Sequence, residues 1–199
     1  MERKRELRRA TVARRDQLSP DDIRRLSAAA SSRLAQLPEF RAARTVMFFV
    51  SFGSEVDTLP AIRKALAEGK RVAAPRADQR RHGLKPCEVT DLEADLAPGA
   101  YNIREPQRHC QPVPLDEIDA IIVPAAAWGE DGYRVGYGGG YYDRFLGRVP
   151  AALRIGLGFE MQVVSEAPHG RKDLPVDILV TDKEVRRFAR ESRMSEEAR

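Results

Sequence analysis

Cysteine is scarce in this chain of 199 residues, which contains only Cys87 and Cys110. Two cysteines are too few for a disulfide framework, and no C-x-x-C pair or cysteine–histidine cluster indicates a structural zinc site. The sequence also lacks any apolar run near the ~20 residues that a membrane-spanning helix needs. Its N-terminus is charged rather than apolar, so we expect no secretory signal and predict a reducing, cytoplasmic location.

The charge balance is moderately basic and does not by itself identify a ligand. The chain has 34 Lys and Arg against 30 Asp and Glu, a formal net charge of +4, and hydrophobic residues make up 42% of it. Such a charge fits either a nucleic-acid surface or a site for an anionic small molecule. The length and hydrophobic content suit a folded core, so we predict one domain over residues 1–188, followed by a charged, frayed tail over residues 189–199.

Apolar runs alternate with helical patterns and predict an α/β fold. A basic helix is predicted over Arg3–Gln17, and Ser19 followed by Pro20 is a strong start signal for a second helix. A further helix begins at Thr58-Leu59-Pro60. Buried strands are predicted at Thr45–Val50, Lys70–Pro75, Leu84–Val89, Ala120–Val123, Arg154–Phe159 and Asp177–Thr181. The order implies three layers, with a mostly parallel sheet flanked by helices on both faces and a helical N-terminus. The region Arg76–Pro114 contains few clear signals.

Ligands of open α/β sheets bind beyond the carboxyl ends of the strands, which selects Ser51–Asp57, Ala125–Asp143 and Phe159–Gln162. The second segment holds a dense run of glycines: Gly136, Gly138, Gly139 and Gly140. Glycines allow consecutive N–H groups to converge on an anion, and a helix start behind them favours phosphate. The pattern is neither a Walker A motif nor a dinucleotide-binding G-x-G-x-x-G. A tight turn is the alternative, but it needs only one or two glycines.

Two charged residues flank this glycine run. Asp143 would either complement a helix dipole or hold Mg²⁺ beside phosphates, since Mg²⁺ sites combine one or two carboxylates with phosphate oxygens. Arg134 would either neutralise phosphate charge or lie on the surface. The residues alone leave both pairs of alternatives open.

Several motifs occur together and in a fixed order. They are Lys4–Arg8 (KRELR), Phe49–Ser51 (FVS), Glu55–Thr58 (EVDT), Asp119–Pro124 (DAIIVP), Gly132–Leu146 (GYRVGYGGGYYDRFL), Gly158–Gln162 (GFEMQ) and Asp173–Asp177 (DLPVD). Together they resemble the 5-formyltetrahydrofolate cyclo-ligase family, also called 5,10-methenyltetrahydrofolate synthetase. The resemblance reaches to about Phe188, and the combination is specific although each short piece is not.

The resemblance implies an ATP- and Mg²⁺-dependent enzyme that closes a folate ring. ATP would phosphorylate the formyl oxygen of 5-formyltetrahydrofolate, N10 would attack the activated carbon, and phosphate would leave. Such a site must mainly position reactants and stabilise charge on the transferring phosphoryl group. The resemblance also favours a monomer that binds these two small molecules and neither a membrane nor nucleic acid.

Roles for individual residues follow from the resemblance, motif by motif. Catalysis would involve Arg8, Arg134 and Tyr141. ATP would contact Lys4, Arg5, Glu6, Leu7, Arg8, Arg134, Val135, Gly136, Tyr137, Gly138, Gly139, Gly140, Tyr141 and Tyr142. The folate would contact Val50, Glu55, Tyr137, Gly138, Gly139, Gly140 and Tyr141. Mg²⁺ would be held by Asp143 and Asp173.

Some positions depart from the family pattern. Trp128 with Gly129-Glu130 stands where the family often has Phe-Asp, so a different packing of that loop is expected. Lys172 precedes Asp173 where His is common, which weakens the Asp173 assignment. The three histidines lie outside the motifs and are predicted to be on the surface: His82, His109 and His169. Two other functions remain as alternatives: an RNA-binding module that uses the Arg-rich N-terminus and the Gly/Tyr loop, and a small-molecule kinase on the same scaffold.

Overall fold

The computed structural model describes residues 2–78, 80, 82–99 and 103–189. Within them lie six α-helices: α1 (Glu2–Arg15), α2 (Pro20–Gln36), α3 (Pro38–Ala42), α4 (Leu59–Ala67), α5 (Leu92–Asp95) and α6 (Tyr141–Leu146). The predicted start of α2 is confirmed, because the Ser19 hydroxyl accepts the Asp22 N–H at 3.1 Å and Pro20 occupies the first turn.

Twelve strands occur in the same described residues. They are β1 (Thr45–Met47), β2 (Arg71–Asp78), β3 (Gly83–Val89), β4 (Leu96–Pro98), β5 (Arg104–Pro106), β6 (Ala120–Val123), β7 (Ala127–Gly129), β8 (Arg134–Val135), β9 (Leu153–Leu157), β10 (Val163–Val164), β11 (Ile178–Val180) and β12 (Val185–Arg187). Seven of them form the central sheet in the order β12-β11-β9-β6-β1-β2-β3.

The central sheet is mostly parallel, as predicted. Strands β2, β1, β6, β9 and β11 run in the same direction, and only the two edge strands, β3 and β12, are antiparallel to their neighbours. The carboxyl ends of the parallel strands therefore meet at one edge of the sheet, where loops from distant parts of the chain come together.

Alternate residues of the central strands pack on opposite faces of the sheet. Val46 and Ile122 pack with α2 and α4, whereas Met47 and Ile121 pack with Phe145 of α6. Helices thus cover both faces, and the predicted three-layer α/β architecture with a helical N-terminus is confirmed.

The first strand is shorter than its apolar run predicts. The run Thr45–Val50 was predicted to be a strand, but β1 ends at Met47. Phe48 and Val50 are 0% and 4% exposed although they lie outside the strand. The physical reason is that an apolar run indicates which residues are buried, not which residues pair with a neighbouring strand. Here the chain remains buried after strand pairing ends and the following loop begins.

Two regions contain elements that the sequence did not reveal. Within Arg76–Pro114 the predicted strand at Leu84–Val89 is present as β3, but the chain also forms the short helix α5 and the two-stranded sheet β4–β5. A second small sheet, β10-β7-β8, lies partly within the glycine-rich segment. The strands of these two small sheets have two or three residues each, too few to produce a periodic pattern.

The predicted frayed tail falls almost wholly on residues 190–199, which lie outside the described residues. No helix in the described part of the chain combines the length and apolarity needed to cross a membrane.

Candidate active site

A cavity of about 1140 Å³ lies at the carboxyl ends of the parallel strands. It brings together most of the residues predicted for the site: Lys4, Arg5, Arg8, Val50, Glu55, Arg134, Gly136, Tyr137, Gly138, Gly139, Gly140, Tyr141, Tyr142, Asp143 and Asp173. Three predicted ATP contacts, Glu6, Leu7 and Val135, do not line the cavity. Leu7 and Val135 pack together in a small apolar cluster.

The glycine-rich loop passes beside the N-terminal helix. Gly138 has φ +102° and Gly140, which precedes α6, has φ +62°, conformations that favour glycine. The Arg8 Nε donates to the Gly136 carbonyl at 2.7 Å. A Cβ on Gly138 would lie 3.4 Å from the Arg8 guanidinium, so the loop and α1 form one continuous wall of the cavity.

Arg134 is buried beneath this loop and is 5% exposed. Its Nη2 donates to Asp143 Oδ1 at 2.8 Å and its Nη1 donates to the Leu174 carbonyl at 2.5 Å. Burial lowers the pKa of Arg134, and the charge of Asp143 opposes that shift. The alternative of a surface arginine is therefore wrong.

Asp173 reaches the cavity from a loop far along the chain. Its Oδ2 accepts the Lys4 ammonium at 2.5 Å and the Gly170 N–H at 2.6 Å. Burial alone would raise the pKa of Asp173, but the bond from Lys4 and the Gly170 N–H outweigh it and lower the pKa below its ordinary value. The acid thus fastens the N-terminal end of α1 to the cavity.

Glu55 is a buried carboxyl group in the cavity wall, only 4% exposed. Its Oε1 accepts the Tyr137 hydroxyl at 2.5 Å and its Oε2 accepts the Phe52 N–H at 3.1 Å. Burial raises the pKa of Glu55 to about 7, while the bonds from Tyr137 and Phe52 and the charge of Arg15 act in the opposite direction. A carboxyl group poised near neutrality in a cavity is typical of a functional site.

Aromatic rings surround this carboxyl group. The rings of Phe52 and Tyr137 are 5.2 Å apart in a tilted arrangement, and both line the cavity. Tyr142 also lines the cavity, and its buried hydroxyl has no hydrogen-bond partner within the described part of the chain. Burial raises the pKa of both the Tyr137 and the Tyr142 hydroxyl, so each remains a proton donor at neutral pH.

Several contributors to the site were missed from the sequence. Phe52 lies in the predicted loop Ser51–Asp57 but was not singled out. Arg15, which bonds Tyr137, resembles every other arginine of the basic helix, so no local signal distinguishes it. Another part of the cavity lining comes from Arg76–Pro114, the region with few clear sequence signals, and includes Ala77, Leu84, Ile103, Arg104 and Glu105.

The third candidate segment, Phe159–Gln162, does not line the cavity. The side chain of Gln162 is buried and donates to the carbonyls of Ala125 and Ala126 at 2.8 and 3.1 Å. This segment therefore holds the backbone at Ala125 and Ala126, just before β7, and forms no part of the cavity lining.

Trp128 occupies its unusual position by filling space next to β9. It is fully buried, and a Cβ on Gly156 or Gly158 would lie 2.6 or 2.4 Å from its ring. The two glycines thus accommodate the larger ring, and the departure from the family pattern is absorbed inside the core rather than at the cavity.

All three histidines are exposed, as predicted. His109 nevertheless bonds Asp95 at 2.8 Å, and these two residues with Cys110 form a group of potential metal ligands within 4.8 Å of one another. Asp95 also accepts the N–H groups of Thr90 and Asp91 at 2.7 and 3.0 Å. The group lies outside the cavity lining, and its hydrogen bonds give it a role in holding the loop before α5.

Comparison with known proteins agrees with this geometry. The 5-formyltetrahydrofolate cyclo-ligase of Escherichia coli K12 is 31% identical over 182 residues, which cover 86% of this chain and 96% of that protein. The mouse 5-formyltetrahydrofolate cyclo-ligase is 26% identical, covering 87% and 91% of the two chains.

Solved structures show the same fold. The 5,10-methenyltetrahydrofolate synthetase of Aquifex aeolicus superposes with a TM-score of 0.83 at 37% identity, covering 93% of this chain and 92% of that one. A synthetase from Mycoplasma pneumoniae, 19% identical, shares the fold with a TM-score of 0.73 over 90% of this chain and 99% of its own. The profile of the 5-formyltetrahydrofolate cyclo-ligase family matches residues 1–182, and the chain belongs to that family.

Proposed function

We propose that this enzyme converts 5-formyltetrahydrofolate to 5,10-methenyltetrahydrofolate with ATP as the phosphoryl donor. The observation that carries the proposal is one cavity with two chemically different walls. One wall has a buried carboxyl group among aromatic rings, and the other has cationic side chains beside a glycine-rich loop. A pterin fits the first wall and a triphosphate fits the second.

The wall around Glu55 supports the assignment of the folate pocket. A pterin offers adjacent N–H donors, which a carboxylate accepts with its two oxygens. The tilted rings of Phe52 and Tyr137 offer flat apolar surfaces beside that carboxylate. Val50, 4% exposed, also lines the cavity.

The second wall supports the assignment of the triphosphate site. Lys4, Arg5 and Arg8 on α1 line the cavity with the glycine-rich loop. Gly138 and Gly140 hold positive φ angles, so the loop backbone can approach phosphate oxygens without a Cβ between them. Cations on a helix and N–H groups on a loop would stabilise the charge that spreads over the transferring phosphoryl group.

The two aspartates fit a magnesium ion. Within the described part of the chain, the hydrogen bonds of Asp143 all fall on Oδ1 and those of Asp173 on Oδ2. Each carboxylate therefore keeps a second oxygen, and hard oxygen ligands of this kind suit Mg²⁺. When bound, the ion supplies charge neutralisation for the phosphates. Arg134 would hold Asp143 in place as a ligand, and Lys4 would be released from Asp173 towards the phosphates.

The chemistry proceeds in two steps under this proposal. The formyl oxygen attacks the γ-phosphorus, a new O–P bond forms, the bond from the γ-phosphorus to the bridging oxygen breaks, and ADP leaves. N10 then attacks the activated formyl carbon, the C–O bond breaks, inorganic phosphate leaves, and N10 loses its proton. The site contributes by holding the formyl oxygen and the γ-phosphate in line and by excluding water from the activated intermediate.

The first experiment is an absorbance assay in the near ultraviolet. Purified protein is mixed with 5-formyltetrahydrofolate, Mg²⁺ and ATP, and a second sample omits ATP. We expect the methenyl chromophore to grow only with ATP, with one ADP and one phosphate released per ring closed. A phosphorylated folate that accumulates without ring closure would instead identify a kinase, and the proposal would be wrong.

A further inference from the structure

Arg15 is buried where an arginine is unexpected. It ends α1 and is 3% exposed, whereas the neighbouring Arg14 is exposed to solvent. Among the described residues, no carboxylate lies within ion-pair distance of Arg15. A guanidinium without a direct counter-ion is costly to bury unless hydrogen bonds hold it. The hydrogen bonds of Arg15 therefore indicate what its guanidinium contributes to the structure.

The bonds of Arg15 join the two loops that build the folate wall. Its Nε donates to the Ser54 hydroxyl at 2.9 Å, in the loop after β1. Its Nη1 donates to the Tyr137 hydroxyl at 3.0 Å, in the glycine-rich loop. Tyr137 then donates to Glu55 Oε1 at 2.5 Å, so a chain of hydrogen bonds runs from the helix to the carboxyl group.

We propose that Arg15 is a positioning residue of the folate pocket, which acts through Tyr137 to hold the Glu55 carboxylate as the acceptor for the pterin N–H groups. The inference rests on the proposed function. Arg15 does not line the cavity, so its effect on a ligand must pass through Tyr137 and through Ser54. The planar guanidinium suits this task because it presents donors to both loops in a fixed geometry.

Arg15 also sets the electrostatic environment of the carboxyl group. Burial raises the pKa of Glu55, and the positive charge of Arg15 is among the influences that lower it again. Besides Arg15, the titratable groups that interact with Glu55 are Tyr137 of the glycine-rich loop and Tyr142 of α6. One step further away, Arg134 acts on Tyr142 and Asp16 accepts a hydrogen bond from Ser54. Removal of Arg15 would therefore raise the pKa of Glu55 further.

The test measures ligand binding as a function of pH. Wild type, Arg15→Met, Arg15→Lys and the matched control Arg14→Met are titrated with 5-formyltetrahydrofolate and, separately, with ATP and Mg²⁺. Equilibrium affinity is measured by calorimetry from about pH 6 to about pH 9, which brackets the titration of Glu55. The methenyl assay on the same samples reports turnover.

We expect Arg15→Met to weaken 5-formyltetrahydrofolate binding up to about tenfold near neutral pH, with partial recovery at alkaline pH as Glu55 ionises. Affinity for ATP should stay within about twofold, because Arg15 bonds only the Tyr137 hydroxyl, whereas the phosphates are assigned to the loop backbone and the cations of α1. The folate affinity of Arg15→Lys should lie between those of wild type and Arg15→Met, because lysine keeps the positive charge but lacks the planar guanidinium that reaches both loops. The folate affinity of Arg14→Met should match that of wild type.

Two results would overturn the inference. The first is a folate-binding pH profile of Arg15→Met that coincides with the wild-type profile. The second is an equal loss of folate and ATP affinity, which would show that Arg15 supports only the fold. If Arg15→Met does not fold, Arg15→Lys decides by the second criterion alone, because it keeps the charge that acts on Glu55: wild-type folate affinity, or an equal loss of folate and ATP affinity, would overturn the inference. A wild type that neither binds 5-formyltetrahydrofolate nor forms the chromophore would instead contradict the proposed function itself.

Discussion

The pair formed by Arg134 and Asp143 links stability to the candidate metal site. Arg134 is 5% exposed, and the Asp143 side chain is 28% exposed at the cavity. Removing one partner of a buried ion pair costs about 3–5 kcal/mol, because the other charge stays buried. Function and fold are therefore coupled at Asp143, and a test of its role must keep the bond from Arg134.

Asp143→Asn is the substitution that separates the two roles. The amide oxygen can still accept from Arg134, but the negative charge that a metal requires is lost. We expect kcat to fall about 100-fold or more while the circular dichroism spectrum is retained. Asp116→Asn, at an exposed position away from the cavity, serves as the control. Activity of Asp143→Asn within a few fold of wild type would contradict the metal assignment.

Burial of the Glu55 carboxyl group makes the stability of the protein depend on pH. Its pKa rises from 4.5 to about 7, so the folded state binds this proton more tightly than the unfolded state. The free energy of unfolding must therefore fall as pH rises from 4.5 to about 7. Above that window the ionised, buried carboxylate remains a source of destabilisation.

Glu55→Gln should accordingly melt at a higher temperature than wild type at alkaline pH. The gain in unfolding free energy is up to about 3 kcal/mol and should disappear below the ordinary pKa of a glutamate. The same variant should lose at least about tenfold in affinity for 5-formyltetrahydrofolate and little for ATP. Thermal melts at several pH values and calorimetric titrations check both effects. Equal melting temperatures of the two proteins at every pH would show that Glu55 is not held at a raised pKa.

At the scale of elements, the glycine-rich loop and α1 act as one unit. Lys4 reaches Asp173 and Arg8 reaches Gly136, so the N-terminal helix is attached to the cavity at both the proposed metal site and the proposed phosphate site. The basic face of α1 that a sequence reader would assign to solvent is in part a wall of the cavity. A change in the loop should therefore affect the helix as well.

Gly138→Ala tests the loop, with Gly69→Ala as its matched control. Both glycines have positive φ, +102° and +80°, so alanine strains both backbones by a similar amount, about 1 kcal/mol. Gly69 follows α4, remote from the cavity, and a Cβ there meets nothing within 4 Å. We expect both variants to lose stability and only Gly138→Ala to lose ATP affinity, measured by calorimetry. Equal ATP affinity in the two variants would contradict a role of the loop in phosphate binding.

At the scale of the whole molecule, the cavity couples distant segments of the chain. The bonds Lys4–Asp173, Arg8–Gly136 and Tyr137–Glu55 each close a long loop of sequence around one space. A ligand that fills this space contacts only the folded state and must stabilise it.

Thermal unfolding should therefore report both ligands. At a concentration one hundred times the dissociation constant, ATP with Mg²⁺ should add about 2.7 kcal/mol and raise the melting temperature by about 5–10 °C. 5-Formyltetrahydrofolate should give a similar shift by itself. AMP lacks the outer phosphates, so at the same concentration as ATP it should raise the melting temperature much less. A shift with AMP as large as that with ATP would show that the glycine-rich wall does not recognise the triphosphate.

The family, the mostly parallel sheet and the positions of its main strands along the chain could be predicted from the sequence. Each of these depends on local signals: apolar runs, the Ser19-Pro20 helix start and motifs such as Gly132–Leu146. The prediction failed at Phe48–Val50, where residues are buried without pairing to a neighbouring strand. It also failed where strands are only two or three residues long. Periodicity needs several residues to become visible, and these segments are too short.

What the sequence determined by itself is the set of chemical groups available and their place along the chain. The tertiary structure decided which of them meet. Arg134 became a buried support for Asp143, Glu55 acquired a pKa near 7, and Arg15 was selected from a run of similar arginines to hold Tyr137. The reason is that burial and partners set the charge state and orientation of a side chain, and both arise only when the parallel strands bring their loops to one edge of the sheet.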